Sequence, residues 1–185
     1  MTAQASNKIS INGEPHRLLS NPTPAFFEHV GHWPPFCATS TANWCGYISE
    51  WEIRSDTLFL VGLAGRVCRK EPEADGPKTL WCRVGHHGPC DDVPIRLGDL
   101  CQLPVGGLPA TWFSGTLRVP HGAMVEYVHM GWGSRFERIL IFGIEEGRVV
   151  SMLIKADERD GSEKQAGKSG LLHAAFRWLS RLSAK

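Results

Sequence analysis

Long apolar runs are missing from this chain, and so are the glycine signatures of nucleotide binding. No stretch approaches the roughly 18 apolar residues that suggest a membrane span, and Met1–Ser10 is polar, without a run of signal-peptide length. The expectation is a soluble, cytoplasmic protein. There is no Gly-x-x-x-x-Gly-Lys-[Ser/Thr], no Gly-x-Gly-x-x-Gly and no His-Glu-x-x-His, which disfavours NTPases, nucleotide-dependent dehydrogenases and zincins. No cofactor is expected. An excess of one charge is lacking too: 20 Lys and Arg against 19 Asp and Glu leave a formal charge of +1. Without a global field there is no strong signal for nucleic acid or an anionic membrane surface.

Aromatic residues, by contrast, are plentiful. Seven tryptophans need buried faces and a hydrogen-bond partner at the rim, which suits a β-rich core or a binding surface. Six cysteines (Cys37, Cys45, Cys68, Cys82, Cys90, Cys101) follow no repeated spacing. With no export signal, they are expected to be reduced, mostly buried thiols.

At 185 residues the chain fits one domain with a substantial core. The expected fold class is mainly β (α+β), a single antiparallel sheet or meander or a partly open barrel, with a C-terminal helix. Residues 1–155 form the β-rich domain with an extended N-terminal arm that holds at most a short strand at Lys8–Ile11. Phe26–Val30 makes one helical turn. Tyr47, Trp51 and Ile53 alternate with Glu50, Glu52 and Arg54, the period of a half-buried strand. A turn at Arg54-Ser55-Asp56 then leads to Thr57–Leu63, apolar on both faces. Gly65–Lys70 and Thr79–Val84 are weaker strand signals around a Glu71–Asp92 excursion. Four strands follow, Ala110–Val119, Met124–Met130, Phe136–Ile144 and Arg148–Ile154, with turns at Pro120-His121-Gly122, Gly131-Trp132-Gly133-Ser134 and Glu145-Glu146-Gly147. Residues 156–170 have the charged, Gly-containing composition of a flexible linker. Residues 171–184 carry an amphipathic helical stripe with Leu172, Phe176 and Leu179 on one face. That helix either docks on the protein's own sheet or engages a partner.

The richest polar cluster is Glu126, Tyr127, His129, Trp132, Ser134, Arg135 and Glu137. Antiparallel pairing around the glycine turn brings these residues to one end of the sheet. Tyr127, His129, Trp132, Ser134 and Arg135 are the candidate binding residues, being rich in types that dominate interfaces. A cross-strand pair of Arg135 with Glu126 is the structural reading of the same residues. The catalytic alternative is His129 with Glu126 or Glu137, a carboxylate orienting an imidazole for general acid–base chemistry. A weaker alternative is a zinc module on Cys82-x-x-x-His86-His87-x-x-Cys90, which lacks the two separated ligand pairs usual in structural zinc sites. Ser114 has no nucleophile elbow around it, and neither Cys37 nor Cys45 carries a protease signature.

Trp44-x-Gly46-Tyr47, Trp51-Glu52-Ile53, Leu58-Phe59-Leu60, Trp112-Phe113-Ser114-Gly115 and Glu126-Tyr127-Val128-His129-Met130-Gly131-x-Gly133-Ser134-x-Phe136-Glu137 together resemble a group of small, uncharacterised bacterial proteins. The resemblance spans about Ala42–Ile154 apart from the Glu71–Asp92 excursion. It implies a bacterial origin and one compact unit, with no activity to transfer. The functional expectation is a small binding or interaction protein of the immunity or accessory kind, with another protein as partner, rather than an enzyme.

Overall fold

The computed structural model describes residues 3–38, 40–68 and 92–156. Its first element corrects the sequence expectation of an extended arm. Strands β1 (Asn7–Ile11) and β2 (Glu14–Leu18) form an antiparallel hairpin. The turn is Asn12-Gly13, with φ of 51° and 85°, the left-handed pair that tight hairpins require. A helix, α1 (Thr23–Val30), follows, longer than the single turn expected. A proline in its first turn presets the helical φ, and Gly31 at φ 68° ends it. Phe26 and Phe27 are buried on its inner side.

β3 (Tyr47–Arg54) and β4 (Thr57–Cys68) make the expected hairpin. Tyr47, Ser49, Trp51 and Ile53 all point inward. β1 lies parallel to β3, with Ile9 opposite Trp51 and Ile11 opposite Ile53. The sheet is therefore mixed, which refines the expectation of a mainly antiparallel one. The far edge of β4 carries two short partners, β5 (Asp92–Arg96) and β6 (Leu108–Pro109). Gly65–Cys68 belongs to β4 rather than to a separate strand.

Three long strands complete the sheet, not four: β7 (Gly115–Glu126), β8 (Arg135–Glu145) and β9 (Arg148–Ala156). Pro120-His121-Gly122 is not a turn. β7 runs through it, with Pro120 opposite Ile139 and an irregularity between His121 and Met124. Proline is tolerated there because β7 ends the strand order and needs no donor on its outer side. Residues 110–114 lie outside the strands, and the Met124–Met130 strand stops at Glu126. Glu146-Gly147, at φ 46° and 76°, forms the expected turn between β8 and β9.

Among the described residues the strands run in the order β2-β1-β3-β4-β9-β8-β7 in a mixed nine-stranded sheet that is not closed. At its free ends the Leu19 N–H donates to the Arg118 carbonyl at 2.8 Å, and Ser20 Oγ accepts from the Arg118 N–H at 3.1 Å. The curled sheet and α1 enclose one core that includes Trp51, Leu60, Leu117, Leu140 and Phe142. Ser49 Oγ, fully buried, accepts from Thr23 Oγ1 and from the Trp51 indole, each at 2.8 Å. This joins α1 to β3. Asn7 adds to it, accepting the Ser49 N–H and donating to the Ser20 carbonyl.

Ala156 closes β9 rather than opening a linker. The rest of the 156–170 linker and the 171–184 helix lie outside the described residues. Among the described residues no helix is long and apolar enough to cross a membrane. Cys37 is disulfide-bonded, which corrects the expectation of reduced thiols, whereas Cys45 and Cys101 form no disulfide.

Candidate functional site

The β7–β8 hairpin projects past the core. Along β7 Leu117 and Val119 are buried, and from Gly122 to Glu126 every residue is exposed. The last register pairs are Met124 with Phe136 and Glu126 with Arg135, so residues 127–134 form the connecting loop.

Glycine chemistry shapes the approach to that loop. Gly122 has φ 82°, and a side chain there would collide with the Glu137 carboxylate. Glu137 Oε2 accepts the Ala123 N–H at 3.2 Å and so holds the irregular backbone. Within the loop, the Gly133 N–H closes a turn on the Met130 carbonyl, and Ser134 Oγ accepts the Val128 N–H at 3.2 Å.

The N-terminal segment clamps the loop from the side. The Gln4 N–H donates to the Gly131 carbonyl at 2.8 Å, and Ala3 bridges Gly131 in parallel. The Trp132 indole donates to the Ala5 carbonyl at 3.3 Å. Gln4 Oε1 also accepts the Trp44 N–H at 3.0 Å, which ties the same segment to the approach to β3. Sequence reasoning missed this clamp, because no local signal links residues 3–5 to residues 131–132.

The candidate residues thus fall into three groups. Trp132 and Ser134 are half-buried and hold the loop in shape. Arg135 Nη1 meets Glu126 Oε2 at 2.9 Å across the hairpin, with both side chains substantially solvated. Tyr127 and His129 project outward, their rings 4.6 Å apart and edge to face. Met124, Val125, Tyr127 and Met130 are 45%, 49%, 50% and 59% exposed. The two methionines and Val125 were not among the candidates. Their only signal was apolar residue type within a stretch that Glu126 and His129 interrupt.

Neither carboxylate of the acid–base alternative is arranged on His129. Glu126 faces Arg135, Glu137 holds the Ala123 amide, and among the described residues no hydrogen bond joins either to the imidazole. An open depression of about 540 Å³ lies at the other end of β8, lined by Ser114, Glu145, Glu146, Arg148, Val149 and Val150. Its Ser114 hydroxyl accepts the Glu146 N–H at 3.0 Å and so braces the β8–β9 turn. Burial pushes the Cys101 thiol up, away from the nucleophilic thiolate. Among the described residues no group of three or more His, Cys, Asp or Glu side chains could hold a metal ion. Cys82, His86, His87 and Cys90 lie outside them.

Compared with known proteins, the chain matches no family model, no curated protein and no solved structure.

Proposed function

We propose that the tip of the β7–β8 hairpin is a protein-binding surface, and that the chain is a small bacterial interaction protein of the immunity or accessory kind. The observation that carries this reading is the cluster of exposed Met124, Val125, Tyr127 and Met130 on a hairpin whose loop is fixed at its base. Water gains nothing from holding four large apolar side chains in place, whereas a partner that covers them gains roughly 25 cal/mol per Å² of apolar area removed from water. Methionines adapt to an irregular partner, Tyr127 supplies a rigid anchor, and the solvated Arg135–Glu126 pair stands at the polar rim. The N-terminal clamp reduces the ordering cost of binding, because the loop is already in its hydrogen-bonded form. A cytoplasmic setting belongs to this reading on sequence grounds. The Cys37 disulfide is the observation against it, since such bonds persist in oxidising compartments.

A photo-crosslinking residue placed at Met130, with a control at the fully exposed Val105, tests the reading in the source cell. The expected result is a discrete adduct from position 130 alone that disappears when Tyr127→Ala is added. Equal adducts from both positions, or none from position 130, would overturn it.

A further inference from the structure

We propose that the open edge of β9 pairs antiparallel with the same edge of a second copy of the chain, making a weak twofold dimer with one continuous sheet. The Met124–Met130 surface takes no part in it.

The parting of β4 from β9 creates the edge. β9 runs beside β8 from Arg148 to Ala156. With β4 it shares only the Thr57–Arg148 pair and one bond from the Val149 N–H to the Asp56 carbonyl at 2.9 Å. Beyond Thr57, β4 takes β6 at Phe59 and Leu60 and β5 from Ala64 to Cys68 instead. Among the described residues, β9 after Val149 therefore has a strand on one side only. Val150 and Leu153 lie along this stretch, 44% and 38% exposed.

Sheets normally guard such an edge, because a row of unpaired N–H and C=O groups recruits other extended chains. Among the described residues, the other strands with an open side each contain a proline: Pro15 in β2, Pro94 in β5, Pro109 in β6 and Pro120 in β7. β9 contains none, so nothing in its own sequence blocks a ladder.

The residues on the edge fit a second copy. Gly143 lies opposite Ser151 and Ile144 opposite Val149, which makes Val150 an extra residue and Ser151–Ala156 the regular stretch. Twofold pairing centred on Leu153 uses that stretch: Leu153 meets its copy, Met152 meets Ile154, and Ser151 meets Lys155. Leu153 pairs with Ile141, which faces outward between the buried Leu140 and Phe142, so the apolar row they form continues across the twofold axis. The two Lys155 side chains stay four residues apart, roughly 14 Å along the strands, beyond the Debye length of about 10 Å at 0.1 M salt. A centre at Lys155 would set them face to face. Head-to-tail assembly would need a second unguarded edge, which the prolines deny, so pairing stops at two copies. Five paired residues make a contact roughly 17 Å long and about 10 Å thick, far below the about 800 Å² per partner of a standard interface. Dilution should therefore separate the copies.

Leu153→Cys in the full chain tests the twofold axis. Opposed residues of an antiparallel pair have Cα atoms about 4.5–5.5 Å apart, within disulfide range. Mild oxidation should link two copies through position 153, as mass spectrometry of the linked peptide would show. The same treatment of Val105→Cys, fully exposed on another segment, gives the rate of chance encounters. Ser151→Cys and Lys155→Cys set the register: neither should link at that position alone, and a mixture of the two should link one to the other. In a second measurement, sedimentation of the unsubstituted chain over about hundredfold dilution should show a monomer–dimer equilibrium that Leu153→Lys abolishes, because it opposes two cations at the axis. Leu153 is partly exposed, so the variant keeps its core. A monomer at every concentration, a dimer that survives Leu153→Lys, or linkage at position 153 no faster than at position 105 would overturn the proposal.

Discussion

Two hairpin regions of one sheet treat polar and apolar groups in opposite ways. Where β1 and β3 meet α1, polar side chains are sealed inside: Ser49, Asn7 and Thr23 are buried and satisfy one another together with the Trp51 indole. Beyond Gly122 on β7, apolar side chains are left outside, and the ordering contacts are hydrogen bonds of the backbone, the Gln4 N–H donating to Gly131 and the Ser134 and Glu137 side chains accepting from the Val128 and Ala123 amides. A buried polar group is tolerated only when every partner is present, so the first region reads as structure. Exposed apolar groups on a held backbone add little to stability, which is why the second is where we propose that recognition takes place.

Serine separates the two regions most sharply. Ser49→Ala removes the acceptor of two buried donors, and with each stranded donor costing about 1–3 kcal/mol the expected loss is roughly 2–6 kcal/mol. Ser134→Ala removes one acceptor from a half-exposed loop amide that water can reach, with an expected loss under about 1 kcal/mol. Urea midpoints of the two variants measure both. Equal losses would break the contrast.

Acid tests the seam between the free ends of the sheet. His16, half-buried on β2, has its pKa lowered from the ordinary 6.5, first by burial and then by His121 across the seam, with Glu14 acting the other way. Arg17 and Arg118 add cationic charge on the flanking segments. A histidine whose folded pKa is depressed takes up its proton more readily in the unfolded chain. Its contribution to stability is therefore complete above pH 6.5, falls as pH drops from there to the lowered folded value, and levels off below that value. Unfolding midpoints at about pH 7.5 and 5.5 should differ less in His16→Gln than in the parent chain. An unchanged difference would assign the acid sensitivity elsewhere.

The smallest effect belongs to the hairpin tip. A double-mutant cycle on Arg135→Ala and Glu126→Ala should give a coupling under about 1 kcal/mol, because the pair is solvated. A larger value would show the tip to be braced like the core.

Much of this fold was legible locally. The β3 alternation and the Ser55-Asp56 and Glu146-Gly147 turns were read from residue types and appear in place. Asn12-Gly13 carried an equally strong hairpin signal, which the surrounding prolines and polar residues obscured. Pro120 misled in the opposite direction: it reads as a break, but a strand at the end of the sheet has no need of the missing donor. The candidate loop was located by its glycines and polar residues. The exposure of its methionines was not, since an apolar residue looks the same whether a second layer covers it or nothing does.

By itself the sequence determined the quantities that depend on neighbours a few residues away: where φ turns positive, which side of a strand is apolar, where a helix stops. Tertiary structure alone decided the parallel pairing of β1 with β3, the meeting of residues 3–5 with the 131–132 loop, and the seam that sets His16 beside His121. Such contacts join segments from about 40 to more than 120 residues apart, and loop closure costs little more at one such length than at another. Packing, which no local pattern records, chose among them.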